Sequence, residues 1–485
     1  MIVLAVLSGG LMMVVQESRP AGDLVFWIFA DPHAKTYRTI LPAYEQRMGK
    51  KIRLDLIGNR ALNLRLFSAF LSESTDREAP DEAEIEISSV GRYFRPPVKD
   101  IGFLPLNELL ETNGAREIAS LDEPGEAGWH ARLVSDGKIY TSDGQRWTVS
   151  PTLTRPDMWI DRIVHNRFAP WTKEGVIFGV PHDVHPMTIT YRSDLFHEAG
   201  VDLESAKTWR EFQEKCLRFQ EYWQKRGFPY RHAMELQEAG VDHLQAILLQ
   251  RGINIIDDYD HIHLAEPKVA ETIAFYAQMI GGPRAIGVES AGGMGVFATD
   301  LEDGNICALF TPDWRVAEIK SFAQKLSGKV RMMPLPKFDP EDTPTSTWGG
   351  TMIGISKSSP HTEEAWKLIE YLYLSETGLH ARLKQTNIIP PVIEFWSDPA
   401  FHEADSFYGG QHIDELYIEL ARQIPARYVT SMSAIATSEL GNVLTRAVRY
   451  ARENGGPGLE AACSQWLAEA QRDLAERIKH GRFEK

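Results

Sequence analysis

GVIFGVPHDVHPMTITYRSDLFHEAGVD, residues 175–202, is followed closely by KTWREF, and NICALFTPDWRVAEI occupies residues 305–319. In the first stretch an apolar strand breaks at Pro181, passes the polar pair Asp183 and His185, resumes with alternating Met187, Ile189 and Tyr191, and turns into a helix. A chain that leaves one sheet and enters another in this way crosses between two lobes. In the second stretch a buried strand ends in Thr-Pro-Asp-Trp, which sets Trp314 at the carboxyl end of a strand, where open α/β sheets hold ligands. This pattern points to ligand binding rather than catalysis.

Upstream, strand and helix alternate from Asp23. DLVFWIF precedes a helix with Tyr37, Ile40, Leu41, Tyr44 and Met48 on one face, ended by Gly49, and Pro42 is expected to kink it or shift its start. KIRLDLI (51–57) and EIEISSV (84–90) read as the next strands, with LNLRLFSAFLS as a helix between them. Such repetition predicts parallel sheets with helices on both faces. Residues from about Glu108 to Lys173 read as an irregular excursion. Thr208 and Glu211 form a capping box for a helix with Phe212, Cys216 and Phe219 on its buried stripe. The Gly-rich run 281–295 is the expected return path to the first lobe, and KFDPEDTPTS, between strand-like KVRMMPLP and TWGGTMIGIS, the third crossing. Near the end, Cys463, Leu467, Ala470, Leu474 and Ile478 mark an amphipathic helix.

Composition narrows the function. Acidic residues outnumber basic ones by 67 to 52, a net charge of −15, so a phosphate backbone would meet mostly repulsion and no nucleic acid partner is expected. Twelve Trp exceed what a core alone demands, and exposed Trp suits ligands with an apolar face. Cys216, Cys307 and Cys463 fall on apolar stripes and read as core residues. MIVLAVLSGGLMMVV is shorter than the about 20 residues a membrane span needs and fits the apolar region of an export signal, although it lacks a basic start. Residues 1–18 are therefore read as an export signal or a membrane anchor, with cleavage left open.

Taken in order, GVPHDVHPMTITYRSDLFHEAG with KTWREF, DGNICALFTPDW before a strand ending in PLP, WGGTMIGISKSS before EEAWKLIEYLYL, and ARQIPARYVTSMSAIATSELGNVLTRAV make the chain resemble, from about Asp23 to His480, the family 1 extracellular solute-binding proteins of bacterial ABC importers, which are maltose-binding-protein-like. The resemblance implies a two-lobed α/β periplasmic-binding-protein fold of type II, each lobe a mainly parallel sheet flanked by helices. Three crossing segments would bound an interlobe cleft that closes on a carbohydrate. The expected division is 19–182 plus 290–345 for one lobe and 183–289 plus 346–485 for the other. It further implies an exported, extracytoplasmic, monomeric receptor that delivers its ligand to a permease driven by cytoplasmic ATPases.

Sugars present hydroxyls at the ring edge and C–H groups on the face, so a site needs planar rings together with Asp, Asn, Arg or His. Trp314 matches the family's stacking aromatic, and Trp348 with Gly349 lies at the third crossing. Edge contacts fall to Asp31, His33, Asn59, Ser89, Arg92, Asp183 and His185, while Arg92 and Arg315 keep a phosphorylated ligand open. Gly293, Gly295 and Ala298 match a nucleotide fingerprint, but no strand precedes them, so no cofactor is expected. His182 with His185 lacks a third ligand at useful spacing, so no metal is expected. Two alternatives stay open: an anchored sugar sensor without a transporter, and a glycoside hydrolase using Asp31 and Asp183.

Overall fold

Residues 22–71, 79–111, 158–290 and 296–481 are described by a computed structural model. Within them the chain begins with β1 (Leu24–Ile28), α1 (Asp31–Met48), β2 (Ile52–Leu56), α2 (Asn59–Leu71), β3 (Glu82–Glu86) and α3 (Ile87–Tyr93). The expected βα alternation follows from local chemistry. Leu24, Phe26 and Ile28 enter one core while Trp27 enters another, which is the period of two of a strand buried on both faces. Helix α1 continues through Pro42 and ends where Gly49 adopts φ 65° and donates its N–H to Glu45 O, a left-handed stop suited to glycine. The expected strand 84–90 is strand only to Glu86, because the Glu86 side chain accepts the Ser88 N–H and caps α3.

β4 (Val180–Pro181) ends the first passage, and β5 (Met187–Arg192) begins the second sheet. Then come α4 (Trp209–Gln224), α5 (Asp242–Gln250), α6 (Pro267–Ile280), β6 (Ala308–Pro312), α7 (Asp313–Phe322), β7 (Val330–Pro334) and β8 (Thr351–Ile355). The first sheet has the order β2-β1-β3-β8-β4; β1 runs parallel to β2 and β3, and β8 runs antiparallel to β3 and β4. In the second, β6-β5-β7, both pairs are antiparallel. The expectation of mainly parallel sheets is therefore corrected for this sheet. β5 and β6 are buried along their whole length, the signature of a parallel strand, but here helices cover an antiparallel sheet.

Strand pairing also departs from the expected division of the chain. β6 and β7, placed with the first lobe, pair with β5 of the second, and β8, placed with the second lobe, pairs with β3 of the first. The described part of the run, 281–290, does not return to the first sheet: Gly287–Val288 pairs with Met234–Glu235, and the next described strand, β6, belongs to the second sheet. Composition marks a glycine-rich connection but says nothing of which sheet the following strand joins. The crossings observed lie at 182–186, between β7 and β8, and after α9 (Glu376–Thr386). α8 (Thr362–Ile369) packs on β8 and α9 on α1, whereas α10 (Ile413–Ala421) packs on β5 and β7. α11 (Ser433–Asn454) and α12 (Leu459–Gly481) then pack on α6 and complete the second core, which holds Cys216, Cys307 and Cys463.

Residues 1–18 and most of the stretch from Glu108 to Lys173 fall outside the described residues. No helix among the described residues is long and apolar enough to cross a membrane.

Candidate ligand-binding cleft

Two crossings run side by side. Pro186 bridges Thr347, and Met187 N–H donates to Ser346 O at 3.1 Å and to Thr345 Oγ1 at 3.0 Å. Between them lies a closed network of charge. Asp183, with no exposed surface, accepts from Arg167 Nη2 at 2.6 Å, from His185 Nε2 at 3.1 Å and from the Thr351 N–H at 3.0 Å. His185 Nδ1 reaches Asp313 Oδ1 at 2.5 Å, and Asp313 Oδ2 accepts the Ile389 N–H at 2.7 Å. Burial disfavours charge on His185, yet Asp183 and Asp313 outweigh it and raise its pKa to about 9. Burial likewise opposes the Asp183 charge, but His185, His182 and Arg167 hold its carboxyl well below the usual range. This network locks strand ends of both sheets together, and its residues use their polar atoms on one another.

Trp314 and Trp348 extend the network outward. Both are half-buried; Trp314 Nε1 donates to Trp348 O at 3.1 Å, and the rings meet edge-on with centroids 5.3 Å apart. Gly349, at φ 89°, passes so close that a Cβ would lie 3.4 Å from Trp314 Nε1. Gly350 follows at φ 146°, where a Cβ would come within 2.3 Å of Arg167 Nη2.

Beside this hinge, the Ile87 N–H donates to Gly350 O at 2.9 Å, and a cavity of about 450 Å³ opens between α3 of the first lobe, α5 of the second and the segment 427–437. That volume lies within the about 300–1,000 Å³ usual for small-molecule clefts. Its wall alternates apolar groups such as Ile87, Leu248 and Tyr428 with the polar Ser88, Arg92, Asp242, Gln245 and Arg427. Gly91 lets the lobes approach: a Cβ there would sit 2.4 Å from Thr430 O. His243, next to Asp242, meets the Trp348 ring edge-on at 5.0 Å, so the cavity and the hinge tryptophans are coupled by direct packing.

Of the ten residues singled out from sequence, Arg92 lines this cavity. Asp183, His185, Trp314, Trp348 and Gly349 gather in the hinge. Asp31 is exposed and paired with Lys35 at 2.6 Å, Asn59 accepts from Asn63 Nδ2 at 2.6 Å, and Ser89 is buried on α3. His33 is buried against Glu84, its Nδ1 at 3.0 Å from Oε2. Asp242, Gln245 and Arg427 were not legible as site residues, because only the meeting of α5 with segment 427–437 brings them together. Arg315 is buried and bound to Glu235 at 2.8 Å, outside the cavity lining.

His33, Glu84 and His182 form a buried group with ligand atoms within 4.8 Å of one another. The group takes His182 but not His185 from the pair weighed in the sequence, and adds His33 and Glu84 from distant parts of the chain. Glu84 already accepts from Tyr37 and Tyr373 hydroxyls at 2.8 and 2.6 Å, and Arg382 donates to His182 O at 2.6 Å. A dication there would share the pocket with that guanidinium.

A family model described as bacterial extracellular solute-binding protein matches residues 118–405. The chain is similar to the arabinooligosaccharide-binding protein of Halalkalibacterium halodurans, 23% identical over 88% of this chain and 85% of that one. It is also similar to the arabinooligosaccharide-binding protein of Bacillus subtilis, 22% identical over 63% of this chain and 70% of that one. Among solved structures, the sugar-binding protein MalE of Xanthomonas citri superposes with a TM-score of 0.67 at 17% identity, covering 95% of this chain and 99% of the other.

Proposed function

Since the chain belongs to the bacterial extracellular solute-binding proteins, we propose that it is the receptor of an ABC importer, exported from the cytoplasm, which captures a carbohydrate between its lobes and delivers it to the permease. The observation that carries this reading is the interlobe cavity, where apolar walls and hydrogen-bonding groups of both lobes converge. Rings pack on the former, and hydroxyls exchange hydrogen bonds with the latter. The names of the two similar proteins make arabino-oligosaccharides the first compounds to try.

Binding works as a population shift. A ligand favours the closed arrangement only by contacts that the open one lacks, so groups from both lobes must touch it. Arg92 on α3, and Asp242 with Gln245 on α5, meet that condition across the cavity. Asp31 and Asp183 do not line it, and Asp183 is fully engaged in the hinge, so no observation favours hydrolysis by that pair.

Titration calorimetry of the purified protein with arabino-oligosaccharides and a panel of other sugars tests the reading. Saturable binding with the sugar recovered unchanged is expected. Absence of binding to every sugar, or release of shorter products, overturns it.

A further inference from the structure

Three guanidinium groups converge on the interlobe cavity of a chain whose net charge is −15. Arg92 lies in the last turn of α3 and Arg95 two residues beyond its end, both exposed on the first lobe, and Arg427 is half-buried on the second. Among the described residues none of the three has a carboxylate within ion-pair distance. Arg427 makes one long hydrogen bond, 3.4 Å, to Gln245 Oε1. The acidic groups whose charge reaches Arg427 are Asp242, in the cavity wall, and Glu86 at the end of β3. The lining thus sets three guanidinium groups against one carboxylate, Asp242, and positive charge predominates in the cleft. Elsewhere Arg167 is matched by Asp183, Arg315 by Glu235 and Arg251 by Glu271 and Asp339, while buried Arg382 donates to the main-chain carbonyls of His182 and Tyr373.

From this we infer that the ligand is an acidic carbohydrate, a sugar or oligosaccharide bearing one uronosyl carboxylate, clamped between Arg92 or Arg95 of the first lobe and Arg427 of the second. This rests on the carbohydrate-receptor reading and refines it. A carboxylate accepts paired N–H donors of a guanidinium in plane. One that touches both lobes supplies the differential contact that closure requires. A uronosyl group puts that planar acceptor directly on a sugar ring, so the charge and the ring are held together. Asp242 remains in the wall to accept from hydroxyls.

The test is titration of the intact protein, at low and at high salt, with a neutral oligosaccharide, its uronosyl counterpart, a sugar phosphate and inorganic phosphate. The expected result is at least about tenfold tighter binding of the uronosyl sugar than of the neutral one, a preference that shrinks with salt. Arg92→Gln and Arg427→Gln should each reduce that preference, and Arg92→Gln, on an exposed helix face, should leave the melting temperature unchanged. Equal or tighter binding of the neutral sugar overturns the inference and leaves the receptor reading intact. Tighter binding of the sugar phosphate, or of phosphate alone, overturns the assignment of a carboxylate. Failure of all sugars to bind overturns both.

Discussion

His185 holds a proton between two carboxylates. With its folded pKa raised to about 9 above an unfolded value near 6.5, its contribution to stability is complete below about pH 6.5 and lost as pH rises through about 9. Melting temperatures measured from pH 6 to 10 should fall more steeply for the native protein than for His185→Gln, which has no such proton to lose. Gly350→Ala should destabilise by about 1–3 kcal/mol, because a Cβ at φ 146° forces Arg167 from Asp183 and the conformation itself suits glycine; denaturant unfolding measures it. The residue types of this hinge were legible: a break at Pro181 between two apolar runs marks a crossing, and His-Asp-Val-His marks polar chemistry on it. Their burial was not, because Arg167, Asp313 and Thr351 come from other parts of the chain to enclose Asp183 and His185.

Among the elements, α4 shows what local sequence can specify. The Thr208 side chain accepts the Glu211 N–H at 3.2 Å, and Glu211 accepts the Thr208 N–H at 3.1 Å, so four residues contain the whole cap. Thr208→Ala should cost about 1 kcal/mol of stability, read as a lower unfolding midpoint, with ligand affinity unchanged since the cap does not line the cavity. The strand 308–312 shows the opposite case. Its apolar run announced a buried strand, but the choice of β5 as its partner is made by long-range pairing that no local pattern encodes. The same holds for α3, where Gly91 matters only because the backbone of Thr430 lies against it.

For the whole molecule, the crossings join the two sheets, and the cavity beside them is where a rotation of one lobe against the other changes contacts. Apolar and polar groups of both lobes face it, so the closed arrangement gains most from a ligand that spans it. The two-lobed plan was legible in the order of motifs along the chain; the cavity lining was not, since α3, α5 and segment 427–437 meet only in the folded protein. A wedge at Gly91 probes directly whether ligand is held by approach of the lobes at this cavity. Calorimetric titration of the native protein and of Gly91→Leu with the same bound sugar, with melting temperatures as the check on folding, is the measurement. At least about tenfold weaker binding by a folded Gly91→Leu protein is expected, and equal affinity in the two would show that the lobes do not close on ligand here.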